Sequence, residues 1–140
     1  MPTLTYIDAN VIINALEGQS SASVQAAFDV LTDSNRVLLV SEFLLLEVLP
    51  KRICYQMDEQ VEFINEIVSQ AKIAQFDKEV LAKSWELACA YGLGAMDALH
   101  VASAIRGQAA EMVSFEKPSK PMFKIPASEI IIFSLHPTAQ

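Results

Sequence analysis

The sequence predicts an α/β fold, a three-layer α/β/α sandwich around a central parallel sheet of four to five strands. Short apolar runs alternate along the chain with helix-period segments, and each parallel crossover needs a helix to cover it. One run, Arg36 to Val40 (RVLLV), is apolar without alternation, as a strand buried on both faces requires. With 140 residues, 52% hydrophobic and 19% charged, the chain suits a single domain over 1–140 and excludes a disordered or solvating polymer.

Leu4 to Ile7 is the first strand, ending at Asp8, and Val11, Ile12, Ala15 and Leu16 then recur at helical spacing up to Gly18. Ser20 to Ser23 offer caps for a second helix carrying Val24, Ala27, Phe28 and Leu31, closed by the turn Thr32 to Asn35. After the strand Arg36 to Val40, Ser41 caps a helix with Leu44, Leu45, Val48 and Leu49, which Pro50 bends or ends. Asp58 to Gln70 is amphipathic, with Val61, Ile64 and Val68 inward and Asp58, Glu62 and Glu66 on a solvated face. Lys72 to Phe76 is a third strand, and Asp77 to Tyr91 a helix with Val80, Leu81, Trp85 and Ala88 at core spacing. Gly92 and Gly94 precede the small-residue helix Ala95 to Arg106, which Gly107 ends. Glu111 to Phe115 and Glu129 to Phe133 complete the strands, joined by the loop KPSKPMFKIP.

No run reaches the roughly 20 apolar residues of a membrane span, and the N-terminus lacks a basic region before an apolar run, so a cytoplasmic location is expected. Cys54 and Cys89 form no CxxC pair and are expected reduced and buried; with only His100 and His136 beside them, a structural zinc site is excluded. Seventeen acidic against ten basic residues give a net charge of -7, which argues against holding nucleic acid by bulk attraction. It does not argue against a nuclease, because an enzyme that gathers carboxylates around a cation is acidic at its centre.

Active sites of open parallel sheets lie beyond the carboxyl ends of the strands, so acids there carry the most weight. Asp8 follows the first strand, where exposure and the next helix's N-terminus favour its ionised form, although the place also suits a simple N-cap. Glu47 sits within LLLEVLP, where a charge needs a partner or solvent. Asp97 begins the small-residue helix and Glu116 follows the strand EMVSF. Carboxylates about 4 Å apart repel by about 4 kcal/mol at an effective dielectric of 20, so four acids meeting at one edge demand protonation or a cation. Hard oxygen ligands without histidine or cysteine suit Mg²⁺ or Mn²⁺ better than zinc.

Over nearly its whole length the sequence resembles the PIN domain family, and within it the VapC-like ribonuclease toxins of toxin–antitoxin pairs. Asp8, Asn10 and Ile12 or Ile13 in IDANVIINAL are similar to the family's opening motif. Glu47 in VSEFLLLEVL looks like its second acid, and Asp97 in MDALHVASA like its third. The chain departs at the fourth, where VSFEK offers Ser114, Phe115 and Glu116 in place of a T-x-D motif. The resemblance implies a Mg²⁺- or Mn²⁺-dependent endoribonuclease with Asp8, Glu47, Asp97 and Glu116 as metal-holding catalytic acids. Asn10 would be a supporting donor and Ser114 a hydroxyl contact to a carboxylate. It further implies an RNA substrate, a small antitoxin protein as partner and a homodimer, for which Phe63, Ile67 and Tyr91 offer apolar residues on helix faces away from the sheet. His100, one turn after Asp97, reads as a packed, hydrogen-bonded histidine more than as a metal ligand, and Lys117, Lys120 and Lys124 as a basic loop able to meet RNA phosphates. Two rivals remain: a PIN fold kept as a binding module without catalysis, and an aspartyl-phosphate phosphatase, for which Asn10 stands where a proton-donating acid is needed.

Overall fold

The computed structural model describes residues 1–139. In chain order these form β1 (Thr3–Ile7), α1 (Ala9–Glu17), α2 (Ser21–Leu31), β2 (Arg36–Ser41), α3 (Glu42–Val48) and α4 (Pro50–Cys54). Then come α5 (Asp58–Gln70), β3 (Lys72–Ala74), α6 (Lys78–Tyr91), α7 (Ala95–Arg106), β4 (Glu111–Ser114) and β5 (Ile131–Ser134), with a 3-10 turn at Pro121–Lys124 inside the lysine-bearing loop. The strands pair in the order β3-β2-β1-β4-β5, every pair parallel. The predicted α/β/α sandwich is therefore the observed architecture.

Strand alternation divides the core in two. Ile7, Val40 and Val113 face α1, α2, α3 and α5, while Tyr6, Leu39 and Met112 face α6 and α7. Serine and aspartate caps set the helix starts: Ser20 Oγ accepts the Ser23 N–H at 3.1 Å, Ser41 Oγ that of Leu44 at 3.2 Å, and Asp77 Oδ1 that of Val80 at 2.8 Å. Two glycines seat α7. Gly92 ends α6 with φ at +74°, turning the chain back into α7. At Gly107 a Cβ would come within 2.6 Å of Leu39 Cδ2, so a larger residue at the end of α7 would make that buried side chain of β2 shift.

Several expectations are corrected. The inward stripe of α6 is Val80, Ser84 and Leu87, so Leu81 and Trp85 lie one position off it and face solvent, Trp85 at 67% exposure. A serine occupies the inward position, its Oγ donating to the Val80 carbonyl at 2.8 Å, which is why apolar spacing favoured the wrong stripe. Leu81, Trp85 and Leu99 help line an open apolar hollow of about 420 Å³ between α6 and α7. Cys54 and Cys89 are exposed, being on the outer faces of α4 and α6. Phe63, Ile67 and Tyr91 are partly buried against the cores, Phe63 with its ring centroid 5.4 Å from that of Phe28, so they are packing residues more than free surface. The third strand stops at Ala74, the fourth at Ser114, and the fifth spans Ile131–Ser134 in register with β4.

Candidate functional site

The chain runs from β1 outward to β2 and β3, then returns to the other side of β1 for β4 and β5. Connections leaving the carboxyl ends of β1 and β4 thus part in opposite directions, and the crevice between them is where such sheets bind ligands. Asp8 prolongs β1 in extended backbone, which puts its side chain on the Tyr6 side, toward α7. Ser41 ends β2 and Ser114 ends β4 on that same side.

Asp8 is tied across the crevice. Its Oδ2 accepts the Ser114 hydroxyl at 2.9 Å and its Oδ1 the Ala9 N–H at 2.8 Å. Ser114 Oγ accepts in turn from Asn10 Nδ2 at 3.3 Å and from the Glu116 N–H at 3.0 Å, so its one donor and two acceptor places are filled. Asn10 Oδ1 accepts the Phe115 N–H at 2.9 Å. The capping and the candidate-site readings of Asp8 therefore coexist: it occupies the N-cap of α1 and faces the crevice.

Glu47 and Asp97 arrive from α3 and α7. Glu47 Oε1 is hydrogen bonded to His100 Nε2, and that nitrogen also stands 3.8 Å from Asp8 Oδ1. The other ring nitrogen of His100 lies 2.6 Å from the Tyr6 hydroxyl, which donates to Ser41 Oγ at 2.7 Å. His100 is 1% exposed and Tyr6 fully buried, whereas the Glu47 side chain is 34% exposed at the crevice mouth. Asp97 lies in the first turn of α7, where the N-terminal dipole favours a carboxylate and the N-cap, Gly94, has no side chain to offer.

Burial dominates the titration of Asp8. With Asp97 adding to it, burial holds the carboxyl above its ordinary range against the opposing pull of His100, Ser114 and the Ala9 N–H. The expectation of an exposed, readily ionised Asp8 is thereby corrected, since the residue is 5% exposed. Burial also pushes His100 down, but its bond to Glu47 and the charges of Asp8, Glu47 and Asp97 outweigh it and raise the ring above its ordinary value. The imidazole thus meets part of the cluster's demand for positive charge.

Glu116 joins the site through its backbone. Its backbone N–H, not its carboxylate, joins the Asp8 network, its carbonyl accepts the Ser134 hydroxyl at 2.6 Å, and its carboxylate lies 3.9 Å from Lys120 Nζ. Lys117, Lys120 and Lys124 are exposed on the adjoining loop.

The family model for the PIN domain matches residues 5–117, a span that takes in the end of β1, all of β4 and all four acids. The chain belongs to the PIN domain family. Solved structures of the same fold include VapBC2 from Rickettsia felis bound to a promoter DNA fragment, at 17% identity and a TM-score of 0.68 over 94% of this chain and 98% of that one. A toxin–antitoxin complex from Klebsiella pneumoniae matches at 19% identity and a TM-score of 0.70, over 93% and 96%. DNA-bound VapBC from Salmonella typhimurium matches at 14% and 0.65, over 96% and 98%. A search of curated proteins gave no significant match.

In this PIN domain the donor set suits a hard divalent cation. Asp8 accepts one hydrogen bond on each oxygen, which leaves about half of a carboxylate's lone-pair places free, and Glu47 and Asp97 add oxygen donors from two further elements. Among the described residues, no three histidine, cysteine, aspartate or glutamate side chains are grouped closely enough, as they stand, to hold a metal ion. Sequence reading named Asp8, Asn10, Glu47, Asp97 and Ser114 but missed Tyr6, although its place two residues before Asp8 on one strand puts both on one face.

Proposed function

We propose that this PIN domain protein is a Mg²⁺- or Mn²⁺-dependent endoribonuclease that acts in the cytoplasm as the toxin of a toxin–antitoxin pair. The observation that carries the reading is that Asp8 and Glu47 converge on one nitrogen of His100, and the charge of Asp97 is felt at both Asp8 and His100, at the carboxyl-end crevice between β1 and β4. Asp8, Glu47 and Asp97 would hold the cation, with Glu116 at the rim. When bound, such a cation supplies Lewis acidity at a phosphodiester. Ser114 and Asn10 hold the Asp8 carboxylate in place, and Lys117, Lys120 and Lys124 offer cations for RNA phosphates in a chain whose net charge of -7 gives no general attraction.

The likeness to VapBC complexes supports a small antitoxin protein as partner. The exposed apolar side chains Leu81, Trp85 and Met96 on α6 and α7 support a homodimer. No helix among the described residues is long and apolar enough to cross a membrane.

Purified protein incubated with single-stranded RNA is expected to cleave it in Mg²⁺ or Mn²⁺ and to stop in EDTA. Undiminished cleavage in EDTA would overturn the metal requirement. Cation binding without cleavage of any RNA would favour the binding-module reading, to which the lysine-paired Glu116 lends its one specific observation.

A further inference from the structure

The reading above uses the acids and leaves unexplained why a tyrosine hydroxyl and an imidazole are buried beneath them. Tyr6 has one hydroxyl hydrogen, and it goes to Ser41 Oγ at 2.7 Å. The Tyr6 oxygen is then free to accept from the His100 Nδ1–H at 2.6 Å, which leaves Nε2 pointing at Glu47 and within 3.8 Å of Asp8. Ser41 Oγ is itself anchored, because it accepts the Leu44 N–H at the start of the helix that carries Glu47. The four side chains close a loop from β1 through α7 to α3 and back along α3 to the end of β2.

We propose that Tyr6 and His100 are positioning residues that pre-organise Glu47 for the cation, with the Tyr6 hydroxyl fixing the ring and the ring fixing the carboxylate. The inference rests on the metal-dependent reading above and adds two residues to it. Glu47 needs such a device because it lies on a helix of seven residues with its side chain 34% exposed, where an unsupported carboxylate would sample several rotamers. A ligand held loosely binds and acts poorly, whereas partners of metal ligands typically contribute about tenfold to a hundredfold in affinity or activity. His100 is well suited to be the strut, being 1% exposed and packed in a helix whose other buried residues are mostly alanine and valine.

The test compares wild-type protein with Tyr6→Phe, which removes one oxygen and keeps the ring. In RNA-free, metal-free wild-type protein, ¹⁵N-correlated proton spectra should show a His100 ring N–H protected from solvent exchange and close to the Tyr6 ring. In Tyr6→Phe that protection should vanish, the Kd for Mn²⁺ alone should rise about tenfold, and kcat should fall with KM for RNA unmoved. Ser41→Ala, which strips the acceptor of the Tyr6 hydrogen, should weaken protection and Mn²⁺ binding in the same direction and serves if Tyr6→Phe does not fold. A wild-type ring N–H that exchanges freely, or unchanged Mn²⁺ affinity in folded Tyr6→Phe, overturns the proposal. Tighter Mn²⁺ binding in Tyr6→Phe also overturns it, by showing that the ring competes with the cation. Wild-type protein that binds Mn²⁺ yet cleaves no RNA removes the nuclease reading and leaves the positioning of Glu47 standing; wild-type protein that binds no Mn²⁺ removes both.

Discussion

Both ends of the sheet carry a buried or half-buried polar network across strands β1, β2 and β4, and the two differ in how their charges balance. At the amino end, Arg36 of β2 binds Glu111 of β4 at 3.0 Å and Asp33 at 3.2 Å, while the Thr5 hydroxyl of β1 donates to Glu111 at 2.9 Å. One cation there faces two acids, and both of its acidic neighbours are bonded to it. At the carboxyl end a single imidazole is bonded to Glu47, lies 3.8 Å from Asp8 and feels the charge of Asp97. The first network staples strands together; the second keeps a larger excess of negative charge in a crevice, which a fold tolerates only with protons or a cation.

The largest effects should come from breaking the carboxyl-end network acid by acid. Asp8→Asn is expected to cost about a hundredfold or more in RNA cleavage while the protein stays folded. Relief of a buried charge then roughly offsets the poorer partner left for the Ser114 hydroxyl, worth about 1 kcal/mol. Asp97→Ala should cost about tenfold or more and Glu116→Ala only a few-fold, because the Asp97 charge is felt at both Asp8 and His100 whereas the Glu116 carboxylate faces Lys120. Cleavage rates at saturating Mg²⁺ decide it. Equal losses for Asp97→Ala and Glu116→Ala would mean that the glutamate swings from Lys120 into the crevice on binding.

That contrast between the ends was only half visible in the sequence. Apolar runs ending in an acid place Asp8 at a strand tip, and the parallel order follows from alternation, so the crevice and its carboxylates could be named from chain position. Hydrogen-bond partners could not: Tyr6 and His100 are 94 residues apart, and nothing local in either segment marks them as facing one another. Burial failed for a related reason. On α6 the apolar pattern Leu81, Trp85, Ala88 is as helical as the true inward stripe Val80, Ser84, Leu87, and only the packing of α7 against Ser84 decides between them. Asp8 was misjudged as exposed because its cover, Ser114 and Asn10, depends on β4 joining β1.

A smaller, purely structural effect should follow from breaking the amino-end network. Arg36→Ala leaves Glu111, whose side chain is 14% exposed, with Thr5 as its bonded partner. Since Arg36 is itself a quarter exposed, solvent screening holds the expected loss to about 1 to 2 kcal/mol. Thermal melts should fall by about 3 to 8 °C, with RNA cleavage by the folded protein unchanged. Lost cleavage at a temperature where the variant is fully folded would erase the division of labour between the two ends.

The smallest effect is the dependence of stability on pH in metal-free protein, and it should belong to the carboxyl end. His100 is raised above its ordinary value of 6.5 by Glu47 from α3, Asp8 beyond β1 and Asp97 on its own helix, with the neutral Tyr6 hydroxyl on its other side. Between its unfolded and folded values the folded protein binds more protons, so the contribution is complete below about 6.5 and is lost as pH rises through the folded value. Asp8, raised from 3.8, has the same sign in a window that opens at lower pH, so it does not cancel the trend. Melting temperatures in EDTA should therefore decline from about pH 6 upward. Glu47→Gln removes the largest upward influence on the ring and should flatten that decline, whereas Arg36→Ala should lower the whole curve and keep its slope. Parallel curves for wild-type and Glu47→Gln would show that the imidazole does not carry the charge balance of the crevice, and an Arg36→Ala curve of altered slope would show that the two ends are electrostatically coupled through the sheet.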